Sequence, residues 1–300
     1  MSLRSALLLL SLLLPLAARA EVQVVASIKP LQLIASAILE SSDRVEALIP
    51  AGQSPHHYNL KPSDRLQLES ADLVIWVGPS LETFLVSLMG QISADREVLE
   101  LQQQTGIRIL NLRHEGDERG NTVQEQVDSH LWLDPQNARR IAQLLTERLA
   151  ALNPSGEKQY RSNLNRFLLQ LNSLDTSIAA QLQEVSERPY IVYHDAFQYL
   201  ETHYGIQHAL ALVADPEIAP GMRSIIQTRK AVMDSTAQCL FTENSANPAI
   251  IATLLANKKV RQVHLDILGS EQVVGADGYI NMLQGIAAAI HSCLMEGGQQ

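Results

Sequence analysis

The chain has 300 residues, and 23 lysines and arginines against 32 aspartates and glutamates give it a formal net charge of −9 at pH 7. This acidic balance argues against a nucleic-acid partner, because binding to phosphate backbones requires a positive surface. It is compatible with the capture of a cation. The length suits one large domain or two domains of ordinary size.

Residues 1–20 have the pattern of a signal peptide rather than of a folded element. Arg4 supplies the charged start, residues 8–16 form a short apolar run, and Ala18-Arg19-Ala20 is a small-x-small cleavage site. We expect cleavage before Glu21 and export of the mature protein. A membrane anchor is the alternative, but the apolar run is too short to span a bilayer.

The first half of the mature chain alternates predicted strands and helices. Strands are expected at 22–28, 45–49 and 73–77, with a helix that begins at Pro30 and a second helix after Ser63 and Asp64. The segment 50–62 holds three prolines and a glycine, which predicts a loop. This order is typical of a parallel sheet with helices on both faces.

The middle of the chain is polar at first and then helical. Residues 111–129 lack periodicity and predict a surface loop, while 135–186 is helical with an interruption near 153–156. Beyond the interruption, apolar residues recur at steps of three and four, which predicts one amphipathic helix of about thirty residues. These residues are Leu164, Phe167, Leu168, Leu171, Leu174, Ile178 and Leu182.

The second half returns to alternation and completes the predicted fold class. Strand candidates lie at 190–193, 209–213, 239–242 and 260–265, and 278–293 predicts a terminal helix. We therefore predict an α/β protein of two lobes with mainly parallel sheets flanked by helices. The expected division is 21–153 for the N-terminal lobe, 154–187 for the long linking helix and 188–300 for the C-terminal lobe.

Three histidines and one aspartate adjoin short apolar runs of the kind that form buried strands, among them the run 131–133. They are His56, His130, His194 and Asp266. Ligands of open α/β sheets gather beyond the carboxyl ends of strands, so these side chains can converge. Three imidazoles and a carboxylate would form a tetrahedral site suited to Zn²⁺. A lone histidine at a strand end is more often structural, so the prediction depends on the whole set.

Other functions use the same residue types. A zinc hydrolase would need an open fourth position to activate water, which Asp266 would fill. The sequence also has no His-Glu-x-x-His motif. A storage protein would need many binding groups, and an adhesin would need nothing beyond the same fold. Separately, Cys239 and Cys293 in an exported chain predict a disulfide, with two buried free thiols as the alternative.

Seven stretches of the chain form an ordered set of motifs: 51–58 (AGQSPHHY), 61–64 (KPSD), 71–79 (ADLVIWVGP), 130–133 (HLWL), 194–197 (HDAF), 216–221 (PEIAPG) and 265–266 (LD). In this combination they resemble the metal-specific solute-binding proteins of ABC importers, and among them the zinc-binding ZnuA group. The resemblance implies that His56, His130, His194 and Asp266 hold the metal in a cleft between the lobes. It also implies a disulfide between Cys239 and Cys293.

The resemblance further implies the cargo and the partner. A carboxylate replaces His194 in manganese-binding relatives, so imidazole here favours Zn²⁺, with manganese or another divalent metal as the alternative. The expected function is high-affinity capture of periplasmic Zn²⁺ and its delivery to a zinc ABC permease in the inner membrane. We expect a monomer without membrane anchor, nucleic-acid partner or enzymatic activity.

The sequence departs from the family pattern at two places and has three candidates for residues that support the ligands. Pro55 stands where some members carry a ligating glutamate, which favours Asp266 as the carboxylate donor. The long histidine-rich loop of many members is reduced here to a short stretch with His114, which we interpret as a plain solvated loop. Asp195, Asp134 and Glu243 are candidates for orienting the imidazoles through their second ring nitrogen.

Overall fold

The computed structural model describes residues 21–113, 126–216, 218–256 and 258–296. The predicted signal peptide and the part of the polar loop that holds His114 lie outside the described residues. Among the helices of these ranges, none combines the length and the apolar character that crossing a bilayer requires.

The described residues form eight strands and nine α-helices. The strands are β1 (Gln23–Ala26), β2 (Arg44–Ala47), β3 (Leu73–Trp76), β4 (Glu97–Glu100), β5 (Ile191–Val192), β6 (Leu210–Ala211), β7 (Cys239–Thr242) and β8 (Arg261–His264). The helices are α1 (Lys29–Ile38), α2 (Pro62–Ser70), α3 (Val86–Ile92), α4 (Pro135–Leu152), α5 (Glu157–Gln183), α6 (Gln198–Tyr204), α7 (Met222–Asp234), α8 (Pro248–Leu255) and α9 (Gly278–Glu296).

Two four-stranded parallel sheets repeat one topology. The strand orders are β2-β1-β3-β4 and β6-β5-β7-β8, so β1 and β5 occupy equivalent central positions. In the first sheet, Val24 pairs with Val45 on one side and with Leu73 on the other. The predicted α/β fold with two parallel-sheet lobes is confirmed. Strand β4 was not predicted, because glutamates at both of its ends hide the apolar pair Val98 and Leu99.

A layer of helices between the sheets carries most of the core. Helices α1, α4, α5, α6 and α9 contact one another there, and their apolar side chains join those of both sheets in one continuous cluster. Helix α5 buries Phe167, Leu171 and Leu182 on one face, as its periodicity predicts, and confirms the long joining helix. Because α9 also packs on α1, the terminal helix contacts the N-terminal lobe. The division at residues 153 and 187 stays a prediction.

Two smaller apolar clusters lie on the outer sides of the sheets. One includes Leu68 of α2 with residues of α3, and the other includes Val232 of α7 with residues of α8. Helices α2 and α7 therefore occupy equivalent outer positions in the two lobes. Each outer layer is thin, because a single row of side chains holds these helices to their sheets.

The prediction of a buried strand at 131–133 is wrong. These residues, Leu131–Leu133, form one turn of 3₁₀ helix and are buried from all directions. When every side chain of a segment is buried, its sequence is a continuous apolar run whether the segment is a strand or a turn. Directly after it, the Asp134 carboxylate accepts the Gln136 N–H and caps α4, with Pro135 at the first helical position.

The predicted disulfide between Cys239 and Cys293 is confirmed. It joins the first residue of β7 to α9 across 54 residues of sequence, and both residues are buried. The bridge ties the terminal helix to the C-terminal sheet, so α9 is fixed to one lobe covalently and to the other by packing.

Removing this bridge should lower thermal stability without changing metal binding. A Cys239→Ala/Cys293→Ala protein loses a cross-link that restricts the unfolded chain, which corresponds to about 4 kcal/mol for a loop of this length if the native state is unstrained. Thermal unfolding monitored by circular dichroism measures the loss. A melting temperature equal to that of the oxidised wild type would contradict the stabilising role.

Candidate metal centre

Three of the four predicted ligands meet between the lobes. His56 lies in the loop between β2 and α2, His130 directly precedes the turn before α4, and His194 lies two residues after β5. Each offers a ring nitrogen, and the three nitrogens lie within 4.8 Å of one another. His130 and His194 are each 5% exposed, and His56 is half-buried.

The spacing of two of these nitrogens fits tetrahedral coordination. The Nε2 atoms of His130 and His194 are 3.4 Å apart. Two nitrogens bound to one Zn²⁺ at its usual bond length and a tetrahedral angle would lie about 3.3–3.4 Å from each other. The ring centroid of His56 is 5.6 Å from that of His130 and 6.3 Å from that of His194, so all three imidazoles border the same space.

Buried carboxylates fix the tautomers of two imidazoles. His130 Nδ1 lies 2.8 Å from Asp128 Oδ1, and His194 Nδ1 lies 2.6 Å from Glu243 Oε1. Because carboxylates accept, each neutral ring donates its Nδ1–H and keeps the lone pair on Nε2. Both Nε2 atoms then present electron pairs to the same point, an arrangement that a cation stabilises.

The two carboxylates also place negative charge beside the site. Asp128 is fully buried and Glu243 is 5% exposed. Asp128 Oδ2 and Glu243 Oε2 are buried oxygens without a hydrogen-bond partner in the described part of the chain. Buried negative charge of this kind needs compensation, and the described residues that line the cavity include no lysine or arginine.

The pKa values of the imidazoles diverge. Burial, and then repulsion from charge on His130 and His194, lowers the pKa of His56 to about 3. Burial acts in the same direction on His194, but the charge and hydrogen bond of Glu243 outweigh it and raise its pKa overall. His56 is therefore a neutral ring with a free lone pair at any physiological pH.

The loop that carries His56 is held at both ends. The Asp64 carboxylate accepts hydrogen bonds from the Tyr58 hydroxyl at 2.9 Å and the Lys61 N–H at 2.8 Å. Gly52 adopts a φ of +82° that favours glycine, and its N–H donates to Ser270 Oγ of the other lobe at 3.1 Å. The adjacent His57 is exposed, whereas His56 is half-buried.

Asp266 is not brought into the group of three imidazoles. It is half-buried two residues after β8, and its oxygens accept the N–H groups of Ser270 at 2.7 Å and Glu271 at 2.9 Å. Its neighbours Ile267 and Leu268 line the same cavity as the imidazoles. The carboxylate thus caps its own turn, and its role as a fourth donor stays a prediction.

Of the three residues predicted to orient the imidazoles, one contacts a proposed ligand and two have other partners. Glu243 contacts His194 as predicted, whereas Asp134 caps α4 and Asp195 lies 3.1 Å from Arg113 Nε. Asp128, which holds His130, was missed. Its position two residues before the histidine was the available signal, because an aspartate there can accept both the N–H and the Nδ1–H of His130, as it does.

A second group of potential ligands lies behind His194. Asp195, Glu201 and His208 offer atoms within 4.8 Å of one another. The Arg113 guanidinium contacts Asp195 at 3.1 Å and Glu201 at 2.5 Å. A cation already compensates this group, which distinguishes it from the three imidazoles.

The imidazoles line a cavity of about 120 Å³ between the lobes. Its other walls include Trp132, whose indole N–H donates to the Ile267 carbonyl at 2.8 Å, and the loops after β2 and β7. The volume suits a small ion with its close ligands rather than a large organic molecule.

Comparison with known proteins agrees with this geometry. The family model described as the zinc-uptake complex component A, periplasmic, matches residues 24–293. The chain is 34% identical to the high-affinity zinc uptake system protein ZnuA of Yersinia pestis, over 92% of each protein. It is 32% identical to the Haemophilus ducreyi protein of that name, over 92% of this chain and 94% of the relative.

Solved structures share the fold. A crystal structure of ZnuA superposes with a TM-score of 0.75 at 24% identity, over 90% of this chain and 99% of that one. The periplasmic zinc-binding protein TroA of Treponema pallidum gives 0.75 at 20% identity, over 92% and 99%. With a family model matched over residues 24–293, the chain belongs to the ZnuA family of periplasmic zinc-uptake components.

Proposed function

We propose that this protein captures Zn²⁺ in the periplasm and delivers it to an ABC-type zinc permease. The observation that carries the proposal is the pair of Nε2 atoms 3.4 Å apart, each on a ring whose Nδ1–H is held by a buried carboxylate. His56, His130 and His194 are the proposed ligands, and Asp266 is the proposed fourth donor. Relatives named as zinc uptake proteins support the cargo.

Charge supports a dication as the cargo. The three imidazoles bind in the neutral form, and the carboxylates of Asp128 and Glu243 together carry two negative charges. A bound Zn²⁺ would balance them within a buried site. Asp266 can therefore contribute a bond without being needed for neutrality, and it would first have to leave the N–H groups of Ser270 and Glu271.

The donor set favours zinc over manganese. Three neutral nitrogens are borderline-soft donors, whereas Mn²⁺ prefers carboxylate and water oxygens. The two imidazoles whose Nε2 atoms are held 3.4 Å apart also suit four-coordinate geometry. Asp128 and Glu243 are held on ring nitrogens, so neither supplies the oxygen-rich set that manganese prefers.

A binding role is proposed rather than catalysis. Catalytic zinc sites combine three protein ligands with a bound water and a nearby general base. The carboxylates beside these imidazoles are occupied by the ring N–H groups, and Asp266 caps a turn. The membership of an uptake family points in the same direction.

Truncating a ligand should abolish tight binding. Structural zinc sites reach roughly 10–16 kcal/mol over about four ligands, so we expect His194→Ala to weaken Zn²⁺ binding by on the order of a hundredfold or more. Asp266→Asn should cost less, because the free carboxylate already has two hydrogen bonds. Competitive titration against a zinc chelator measures both. Zinc-limited growth of cells lacking their own zinc-binding component should be restored by the wild type and not by His194→Ala.

His57→Ala is the matched control for this experiment. It removes an imidazole from the same loop, next to His56, but from a side chain that faces solvent. The control should bind Zn²⁺ as the wild type does, while His56→Ala should not. Full affinity in His194→Ala, or equal losses in the two loop variants, would overturn the ligand assignment.

Asp128 should tune the affinity through His130. Asp128→Asn keeps an acceptor for the ring N–H but removes the charge, and orienting partners of this kind typically contribute about 10–100-fold in metal affinity. Asp175→Asn is the control, because Asp175 holds His203, an imidazole outside the site, at 2.8 Å. Equal affinities for the two variants would show that the charge of Asp128 does not act on the metal.

Zinc affinity should fall in acid, and fewer than three protons should be released for each zinc ion bound. Protons compete only where a free ligand titrates, and His56, with a pKa of about 3, contributes nothing above about pH 4. His194, with its pKa raised by Glu243, should begin to compete above its ordinary value of 6.5. Glu243→Gln should move this onset to lower pH, because burial then dominates.

Zinc titrations between pH 4.5 and 8 in a non-chelating buffer check this dependence. We expect a slope below three protons per zinc, since His56 stays neutral over this range. A slope of three, or an affinity that does not change with pH, would contradict the assignment.

A further inference from the structure

Helix α7 is the least buried long helix of the C-terminal lobe. Ten of its thirteen residues are exposed, and only Val232 is fully buried, with Ile225 and Thr228 beside it. The helix therefore stands as a convex ridge on the outer side of the lobe. Its free surface faces away from the helical layer between the sheets, and none of its residues lines the cavity of the metal centre.

The ridge carries an apolar stripe. Met222 is 72% exposed, Ile226 62% and Met233 50%. At 100° per residue these positions fall within about 40° of one another around the helix axis. The stripe points roughly 90° away from Val232, so the fold does not bury it. The three aligned side chains form one contiguous apolar patch, and contiguous exposed apolar patches are a feature of interaction surfaces.

Cations flank the stripe on both sides. On the same helical projection, Arg229 lies beside Met222 on one flank, and Lys230 and Arg223 lie on the other, beyond Ile226. None of these three forms an ion pair with a carboxylate of the described residues. Residues 222–261 contain six lysines and arginines and two acidic residues, a local charge of +4 in a chain of −9. One of the two, Glu243, is buried at the metal centre.

The fold itself does not require this pattern. Helix α2 occupies the equivalent outer position in the N-terminal lobe. Its one exposed large apolar residue is Leu66, and its charges are mixed, with Arg65 paired to Glu69 at 2.7 Å. The cationic, apolar ridge is thus a property of α7 and not of the architecture.

We propose that the α7 ridge binds the surface of an anionic lipid bilayer. An amphipathic helix with apolar side chains at its centre and lysine or arginine at its flanks can lie in the headgroup region, where the long basic side chains reach lipid phosphates. A convex ridge without walls suits a soft planar surface better than it suits a protein groove. The acidic remainder of the molecule acts weakly, because charges beyond about 8 Å are screened at physiological ionic strength.

Vesicle flotation with the full mature protein tests the proposal. We expect binding to phosphatidylcholine vesicles that contain phosphatidylglycerol, little binding to phosphatidylcholine alone, and loss of binding at high salt. Arg229→Gln/Lys230→Gln should reduce the partition coefficient about tenfold or more, since each cation near an anionic surface contributes severalfold. Met222→Ser/Ile226→Ser should reduce it as well. Zinc-loaded and zinc-free protein should bind alike.

The matched controls are Leu169→Ser and Arg65→Gln. Leu169 is an apolar side chain of α5 that is 71% exposed, and Arg65 is an exposed cation of α2. Both controls should bind vesicles within about twofold of the wild type, and unchanged zinc titrations would show that every variant is folded. No binding to anionic vesicles, or equal binding by the α7 variants, would overturn the proposal. Binding only to right-side-out inner-membrane vesicles, and not to lipid alone, would also overturn it and indicate an acidic protein surface.

Discussion

The metal centre depends on one continuous apolar core that both lobes share. Helix α5 packs on α4 and α9, and α9 packs in turn on α1 of the first lobe and is bonded through Cys293 to β7 of the second. His130 enters the site from the N-terminal lobe and His194 from the C-terminal lobe. Their Nε2 atoms can remain 3.4 Å apart only because this core fixes the separation of the two sheets. Large rigid-body opening of the two lobes would disrupt this core.

Within that frame, electrostatics decides what the cavity accepts. Asp128 and Glu243 are buried carboxylates that use one oxygen each on an imidazole N–H and leave the other without a hydrogen-bond partner among the described residues. The site therefore has two buried carboxylates and no lysine or arginine among the described residues that line its cavity, whereas Arg113 contacts the carboxylates of the neighbouring group, Asp195 and Glu201. A bound cation would therefore stabilise the site of Asp128 and Glu243 more than the group around Asp195. Two clusters with similar ligand atoms thus differ in whether a basic side chain already contacts them.

The sequence predicted the strands and the histidines for the same reason. Buried parallel strands are continuous apolar runs, and ligands lie at their carboxyl ends, so His194 after β5 was visible without a structure. The turn after His130 was mistaken for a strand, because complete burial of Leu131–Leu133 erases any period. The hydrogen-bond partners of the Asp266 oxygens could not be predicted. They are N–H groups of the turn that follows, and this turn has no characteristic residue pattern. The role of Asp128 was not predicted, because this aspartate lies outside the apolar runs that indicate the ligands.

The helices between the sheets and the helices on the outer sides of the sheets are under different structural constraints. Side chains of the helical layer between the sheets must satisfy one core and one site, so a change there alters both stability and metal geometry. The outer helices α2 and α7 are held by one row of contacts each, and their exposed faces are constrained only by solubility. At equivalent positions, α2 has paired charges and α7 has an uninterrupted cationic and apolar face. The fold does not account for this difference between elements with the same structural role, whereas the proposed contact of α7 with a lipid surface does.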